Sequence, residues 1–223
     1  MAVCKSLATQ ALVLWMAVWS FNADAGAQRE EVLVDSVRTA LSAAISQNAP
    51  PQPVHGNTQV QQKFEAWLKQ SDVRLQQLLR KRGASPNLDQ PLHELDGAQL
   101  RREFLQTVWY ESQRAGLEPD LVMGLIQVES GFRKFAISSA GARGFMQVMP
   151  FWTRQLGDGD AAVLFQMQAN LRFGCVILRH YLDLEKGNLS LALGRYNGSR
   201  AQMAYPNAVL SAQQRWRLSL IHI

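Results

Sequence analysis

The segment 119–129 reads Pro-Asp-Leu-Val-Met-Gly-Leu-Ile-Gln-Val-Glu, and its last residue, Glu129, stands on an apolar stripe. Leu121, Leu125 and Glu129 are spaced i, i+4, i+8, which puts them on one helical face, with Val122 and Ile126 widening it. A carboxyl on such a face loses hydration, so its charged form is disfavoured and its pKa rises. A carboxylic acid kept neutral near pH 7 is what a general acid requires. The competing reading is a structural one, a buried Glu neutralised by an Arg.

The 223 residues are 47% hydrophobic and 18% charged, enough for one good core and a smaller appendage. The N-terminus has the pattern of a secretory signal peptide over residues 1–25. Lys5 supplies the positive start and Ala11 to Phe21 the apolar run. Ala23-Asp24-Ala25 offers a cleavage site, with Ala25-Gly26-Ala27 a second option. The run is shorter than the roughly 20 residues of a membrane span, so no stable span is expected after cleavage. Export to the periplasm is the expectation, and an uncleaved signal anchor is the alternative.

Loss of Lys5 and Asp24 together leaves the net charge at +5. A basic exported protein suits an anionic polymer such as a cell wall carrying peptide carboxylates. Nucleic acid would suit the charge equally, but no nucleic-acid-binding motif is present, so that class is set aside. Cys4 leaves with the signal, which leaves Cys175 without an internal partner. His55, His93, His180 and His222 have no metal-ligand spacing and HExxH is absent, so neither a metal nor a cofactor is expected.

Helices are expected at 28–47, with Leu33, Val37, Leu41 and Ile45 at i+4 steps, and at 58–82, with Val60, Phe64, Trp67, Leu68, Leu75, Leu78 and Leu79 on one side. The Pro-rich stretch 49–53 separates them, and Gly83, Pro86 and Pro91 mark another loop. Residues 26–95 are read as a helical accessory region without legible chemistry. From Asp96, expected as an N-cap with Gln99 as its partner, a helix runs to about Ala115. Gly116 ends it and Pro119 opens the next. A glycine-rich loop over 131–144 precedes a helix at about 160–186 and another from Leu189 to Asn197. The catalytic unit is placed at 96–217. A natural codon choice for the last residues (LSLIHI, 218–223) resembles a transposon adaptor end, and the frame is expected to run into adaptor near Leu218.

Five patterns follow one another: Glu129-Ser130-Gly131-Phe132, Ser139-Ala140-Gly141-Ala142-Arg143-Gly144, Phe145-Met146-Gln147-Val148-Met149-Pro150, Asn170-Leu171-Arg172-Phe173-Gly174 and Arg195-Tyr196-Asn197-Gly198. In that order the set resembles the soluble lytic transglycosylases, the goose-lysozyme-like enzymes that cleave peptidoglycan. The resemblance covers about residues 98–210 and implies a mainly α, lysozyme-like domain.

It also implies roles. Glu129 would be the sole catalytic acid, and Ser130 would hydrogen-bond near that acid and the substrate. Met146 and Gln147 would line the sugar cleft. Tyr196 and Asn197 would flank it, with the Tyr196 phenol close to the carboxyl, while Asn170 orders the fold. Glu129 would protonate the oxygen between N-acetylmuramic acid and N-acetylglucosamine in peptidoglycan glycan strands, then take the proton of the muramic 6-hydroxyl as it closes a 1,6-anhydro ring. Usual glycosidases need two carboxylates, whereas here only Asp158 and Asp160 follow shortly, in a stretch that reads as a turn.

Two departures from the family pattern are visible. Gly198 comes one step early after Tyr196-Asn197, and Phe145 stands where Leu is common. Trp109, Tyr110, Trp152, Tyr181 and Tyr205 are candidate stacking faces for sugar, and Arg133, Lys134, Arg143 and Arg154 candidate partners for stem-peptide carboxylates. The rival functions are a true lysozyme admitting water to the same cleft and a non-catalytic wall-binding or secretion-machine module. A cell-wall or secretion-machinery protein partner is left open for residues 28–95.

Overall fold

The computed structural model describes residues 28–46, 58–83, 95 and 97–218. The signal peptide, the Pro-rich break, the Asp96 cap, the loop prolines Pro86 and Pro91 and the adaptor-like tail from Ser219 onward lie outside those residues, as do His55, His93 and His222. Among the described residues eight α-helices run in order: α1 Asp35–Ser46, α2 Thr58–Gly83, α3 Ala98–Arg114, α4 Pro119–Glu129, α5 Phe151–Leu156, α6 Met167–Leu184, α7 Leu189–Asn197 and α8 Ala204–Trp216. A 3-10 stretch, Ala161–Phe165, precedes α6. Among the described residues there is no strand, only two isolated bridges, Ile137 with Arg143 and Arg143 with Val148, that pin the loop between α4 and α5.

Four expectations need correction. The first helix starts at Asp35, not at residue 28, and 28–34 is non-helical. α3 opens on Gly97, one residue after the expected cap, with no side-chain cap bond. The helix expected at 160–186 is two elements, because Gln166 takes an extended conformation (φ −80°, ψ 127°) between the 3-10 stretch and α6. Val60, placed on the buried side of α2, is exposed. Neither α5 nor α8 was expected.

The core forms around α4, buried on nearly every side: Leu121, Val122, Met123, Leu125 and Ile126 are all buried. Each such side chain contributes roughly 1.5–3 kcal/mol on leaving water. α8 packs against α4 so closely that a Cβ on Gly124 would stand 2.6 Å from the backbone N of Gln213. The absence of that side chain sets the distance between the two helices.

The first two helices share this core. Phe64 and Trp67 of α2 each meet Trp109 of α3 at 5.3 Å between ring centroids, and Arg101 reaches Asp72 at 2.8 Å. α1 is held by its C-terminal carbonyls. Arg114 donates to Ala44 O at 3.2 Å and Arg172 to Ile45 O at 3.4 Å, cations at the helix end where the dipole favours them. Both guanidiniums are balanced by Glu111, at 2.9 Å each. No described helix is long and apolar enough to cross a membrane.

Candidate active site

The last turn of α4 carries Glu129 to the point where α8 begins. Burial leaves the carboxyl 5% exposed and pushes its pKa up to about 8, against which a hydrogen bond from Tyr205 acts in the lowering direction. The Tyr205 phenol donates to Oε1, while Oε2 is buried without a hydrogen-bond partner. A neutral carboxyl has one O–H to give. With Oε1 already accepting, the arrangement leaves Oε2 to carry that proton.

The phenol hydrogen-bonded to the acid is that of Tyr205; Tyr196, which the resemblance puts close to the carboxyl, is near enough to feel its charge. Tyr196 ends α7 wholly buried and donates instead to Met146 O at 2.8 Å. Burial pushes the ionisation of this phenol well up, and the charge of Glu129 raises it further. The sequence offers Tyr205 as a candidate stacking face for sugar, whereas its phenol donates to Glu129. Its place on α8 was legible in the spacing Tyr205, Val209, Ala212, Trp216, which is a helical stripe.

Ser130 follows the acid, and its hydroxyl donates to Phe145 O at 2.7 Å and is 3.3 Å from Ile126 O, which ties the end of α4 to the following turn. Met146 is fully buried, and a Cβ on Gly174 would stand 2.4 Å from its Sδ. Gln147 is 2% exposed and its side chain donates to Ala136 O at 3.1 Å and Gly144 O at 2.9 Å. Its φ of 49° is unusual for a residue with a Cβ. Asn197 is buried and accepts from Ser199 Oγ at 2.9 Å. The side chains of Ser130, Gln147 and Tyr196 thus donate to backbone carbonyls of the loop between α4 and α5, at Phe145, Ala136, Gly144 and Met146.

Asn170 organises that loop. Its Oδ1 accepts from Met146 N at 2.8 Å and its Nδ2 donates to Arg143 O at 2.9 Å and Leu164 O at 2.8 Å. Gly144 (φ 76°) leaves the space for it, since a Cβ there would sit 2.4 Å from Asn170 Nδ2. The early glycine, Gly198, has φ 81° and closes α7 in the left-handed conformation. Its position follows from where that helix ends.

No second carboxylate from the following loop joins Glu129. Asp158 accepts from Asp160 N at 3.0 Å, and Asp160 caps the 3-10 stretch by accepting from Ala162 N at 2.8 Å. Trp109, Trp152 and Tyr181 are buried in the core, while Tyr110 is partly exposed. Arg133 donates to Ser130 O at 2.9 Å, Arg143 to Ala161 O at 2.9 Å, and Arg154 pairs with Glu30 at 3.4 Å. Lys134 stands over the Phe135 ring at 5.1 Å. Among the described residues no cluster of His, Cys, Asp and Glu could hold a metal. Cys175 is buried, and burial pushes its thiol far up, so it behaves as a core residue.

An all-helical, lysozyme-like domain with one buried, neutral acid defines the class. Residues 106–216 match the transglycosylase SLT domain, and the chain belongs to the soluble lytic transglycosylase family. It is 36% identical over 85 residues to membrane-bound lytic murein transglycosylase C of Actinobacillus pleuropneumoniae serotype 5b, covering 34% of this chain and 23% of that one. It is 31% identical over 115 residues to the transglycosylase of Enterobacteria phage PRD1, covering 48% of this chain and 42% of that one. With the transglycosylase C of Mannheimia succiniciproducens, identity is 45% over 49 residues, 22% and 14% of the respective chains. The chain thus spans less than half the length of each of these relatives.

Proposed function

We propose that this protein is an exported lytic transglycosylase that cleaves the β-1,4 bond between N-acetylmuramic acid and N-acetylglucosamine in peptidoglycan and leaves 1,6-anhydromuramic ends. The observation that carries the reading is the state of Glu129: neutral at pH 7, held on one oxygen by Tyr205 and free on the other. Oε2–H gives its proton to the glycosidic oxygen as the bond to C1 breaks. The muramic 2-acetamido group stabilises the cationic centre, an assistance glycosidases use. The Glu129 carboxylate then takes the proton of the muramic 6-hydroxyl as that oxygen bonds to C1. The acid is restored and no water is consumed.

Tyr205 supports both half-steps, because its hydrogen bond strengthens as charge develops on Glu129. Ser130 and Asn170 hold the wall carrying Met146 and Gln147. Tyr196 holds the same wall from α7 through Met146 O. The signal-peptide pattern over residues 1–25 supports export to the periplasm with that segment removed. Mass spectrometry of peptidoglycan digested by the wild type and by Glu129→Gln tests the reading. Anhydro-muropeptides from the wild type alone are expected. Reducing ends would make the enzyme a lysozyme. Bound polymer without soluble product from either protein would make it a wall-binding module.

A further inference from the structure

The non-helical stretch 28–34, outside the matched domain, runs into the wall of the site. Gln28 is 4% exposed. Its Oε1 accepts from Trp152 Nε1 at 3.0 Å and from Met149 N at 3.3 Å. Nε2 donates to Gln147 O at 3.3 Å, and the side chain stands near enough to the Tyr196 phenol to act on its ionisation. A primary amide has two donors and two acceptor lone pairs, and here both lone pairs and one donor have partners.

Those partners belong to the turn at Gln147 and the start of α5. Gln147 has the left-handed φ of 49°, a conformation that persists only where its surroundings hold it. Tyr196 holds the carbonyl before it, Met146 O, and Gln28 holds the carbonyl of Gln147 itself. The segment is fastened beyond Gln28 as well. Glu31 pairs with Arg195 at 3.2 Å, Glu30 with Arg154 at 3.4 Å, and Gln155 donates to Glu31 O at 3.1 Å.

We propose that Gln28 is a positioning residue of the cleft, fixing the Gln147 turn and the Tyr196 phenol from behind, so that the N-terminal segment completes the site. The inference rests on the function proposed above. It is tested on the full chain by kcat and KM for anhydro-muropeptide release, and by hydrogen exchange at the Met149 amide. The proteins compared are the wild type, Gln28→Met, Gln28→Glu and Val32→Ser, a change at a fully exposed residue of the same stretch, at a temperature where circular dichroism shows each folded. Gln28→Met is expected to lower kcat/KM at least tenfold and speed Met149 exchange at least tenfold, and Val32→Ser to stay within twofold of wild type.

Gln28→Glu keeps both acceptors and loses the donors. Its deficit should shrink on acidification, as the introduced carboxyl gains a proton to donate. This variant also decides the matter if Gln28→Met does not fold. A kcat/KM within twofold of wild type in folded Gln28→Met, or a Gln28→Glu deficit that follows only the folded fraction and ignores pH, overturns the inference. A wild type that releases no anhydro product instead removes the functional reading, and the inference with it.

Discussion

The Tyr205 phenol donates to Oε1 of Glu129 while Oε2 of the same carboxyl has no partner. Two helices distant in sequence, α4 and α8, thereby assign separate duties to the two oxygens of one side chain. A single acid that first donates and then accepts a proton needs that asymmetry, since one oxygen must stay uncommitted to the protein.

The neutral form of Glu129 gives a pH signature in stability. Its pKa rises from 4.5 to about 8 on burial, so the folded state holds a proton that the unfolded state releases between those values. Stability from this group is full below about pH 4.5 and is lost as pH rises to about 8, by an amount on the order of a few kcal/mol. Glu129→Gln cannot ionise. Its Tm is expected to exceed that of the wild type at pH 8 and to match it near pH 4.5, while activity falls by roughly 10²–10⁴. Calorimetry across that pH range checks the first expectation and product release the second.

Replacing the two phenols should separate their roles. The wild type loses kcat/KM as pH climbs through about 8, where Glu129 loses its proton. Tyr205→Phe removes the bond that lowers that pKa, so the falling limb should move to higher pH, with roughly a tenfold loss of kcat/KM at neutrality, about 1.4 kcal/mol. Tyr196→Phe leaves Met146 O without its donor. It should cost about 1–3 kcal/mol of stability and leave the limb where it is. A limb that moves in Tyr196→Phe and not in Tyr205→Phe would restore the assignment the resemblance implies.

What was legible in the sequence followed from local period and from motif order. The stripe Leu121, Leu125, Glu129 is a property of eleven consecutive residues, and burial of all three follows from it. Gly116 and Pro119 punctuate their helices because their backbone preferences act locally. The partners were less legible. Tyr196 adjoins a family motif, yet the direction of a phenol depends on where α7 ends and what α8 brings alongside. α8 opens with Pro206 in its first turn and a mostly polar exterior, so its stripe of Tyr205, Val209, Ala212 and Trp216 was overlooked. Gln28 is one polar residue in a polar stretch. Its meaning lies in partners 119 to 168 positions away, which no window reveals.

The contact between α4 and α8 links packing to chemistry. A methyl group on Gly124 would meet Gln213 N at 2.6 Å and Val209 O at 2.9 Å, backbone atoms that cannot rotate aside. Gly124→Ala is therefore expected to lose about 1–3 kcal/mol of stability and to push α8 outward, carrying Tyr205 away from Glu129. In folded protein its pH profile should resemble that of Tyr205→Phe. Urea denaturation gives the stability, and a wild-type pH profile at reduced stability would show that α8 yields elsewhere along its length.

The last expectation concerns Glu111, which sits 2% exposed between Arg172 and Arg114 and accepts from Gln168 at 3.2 Å. Glu111→Leu leaves two guanidiniums at the α1 docking site without their counter-charge, a loss of roughly 3–5 kcal/mol. Adding Arg172→Met removes the more buried cation, so the double variant should be more stable than Glu111→Leu alone although it has lost a further side chain. Both should free α1, because Arg172 and Arg114 hold the carbonyls of Ile45 and Ala44, and hydrogen exchange along 35–46 reads that directly. Neither change reaches Glu129, so the falling limb near pH 8 should stay in place; a limb that moves would mean that charge at Glu111 is felt at the acid.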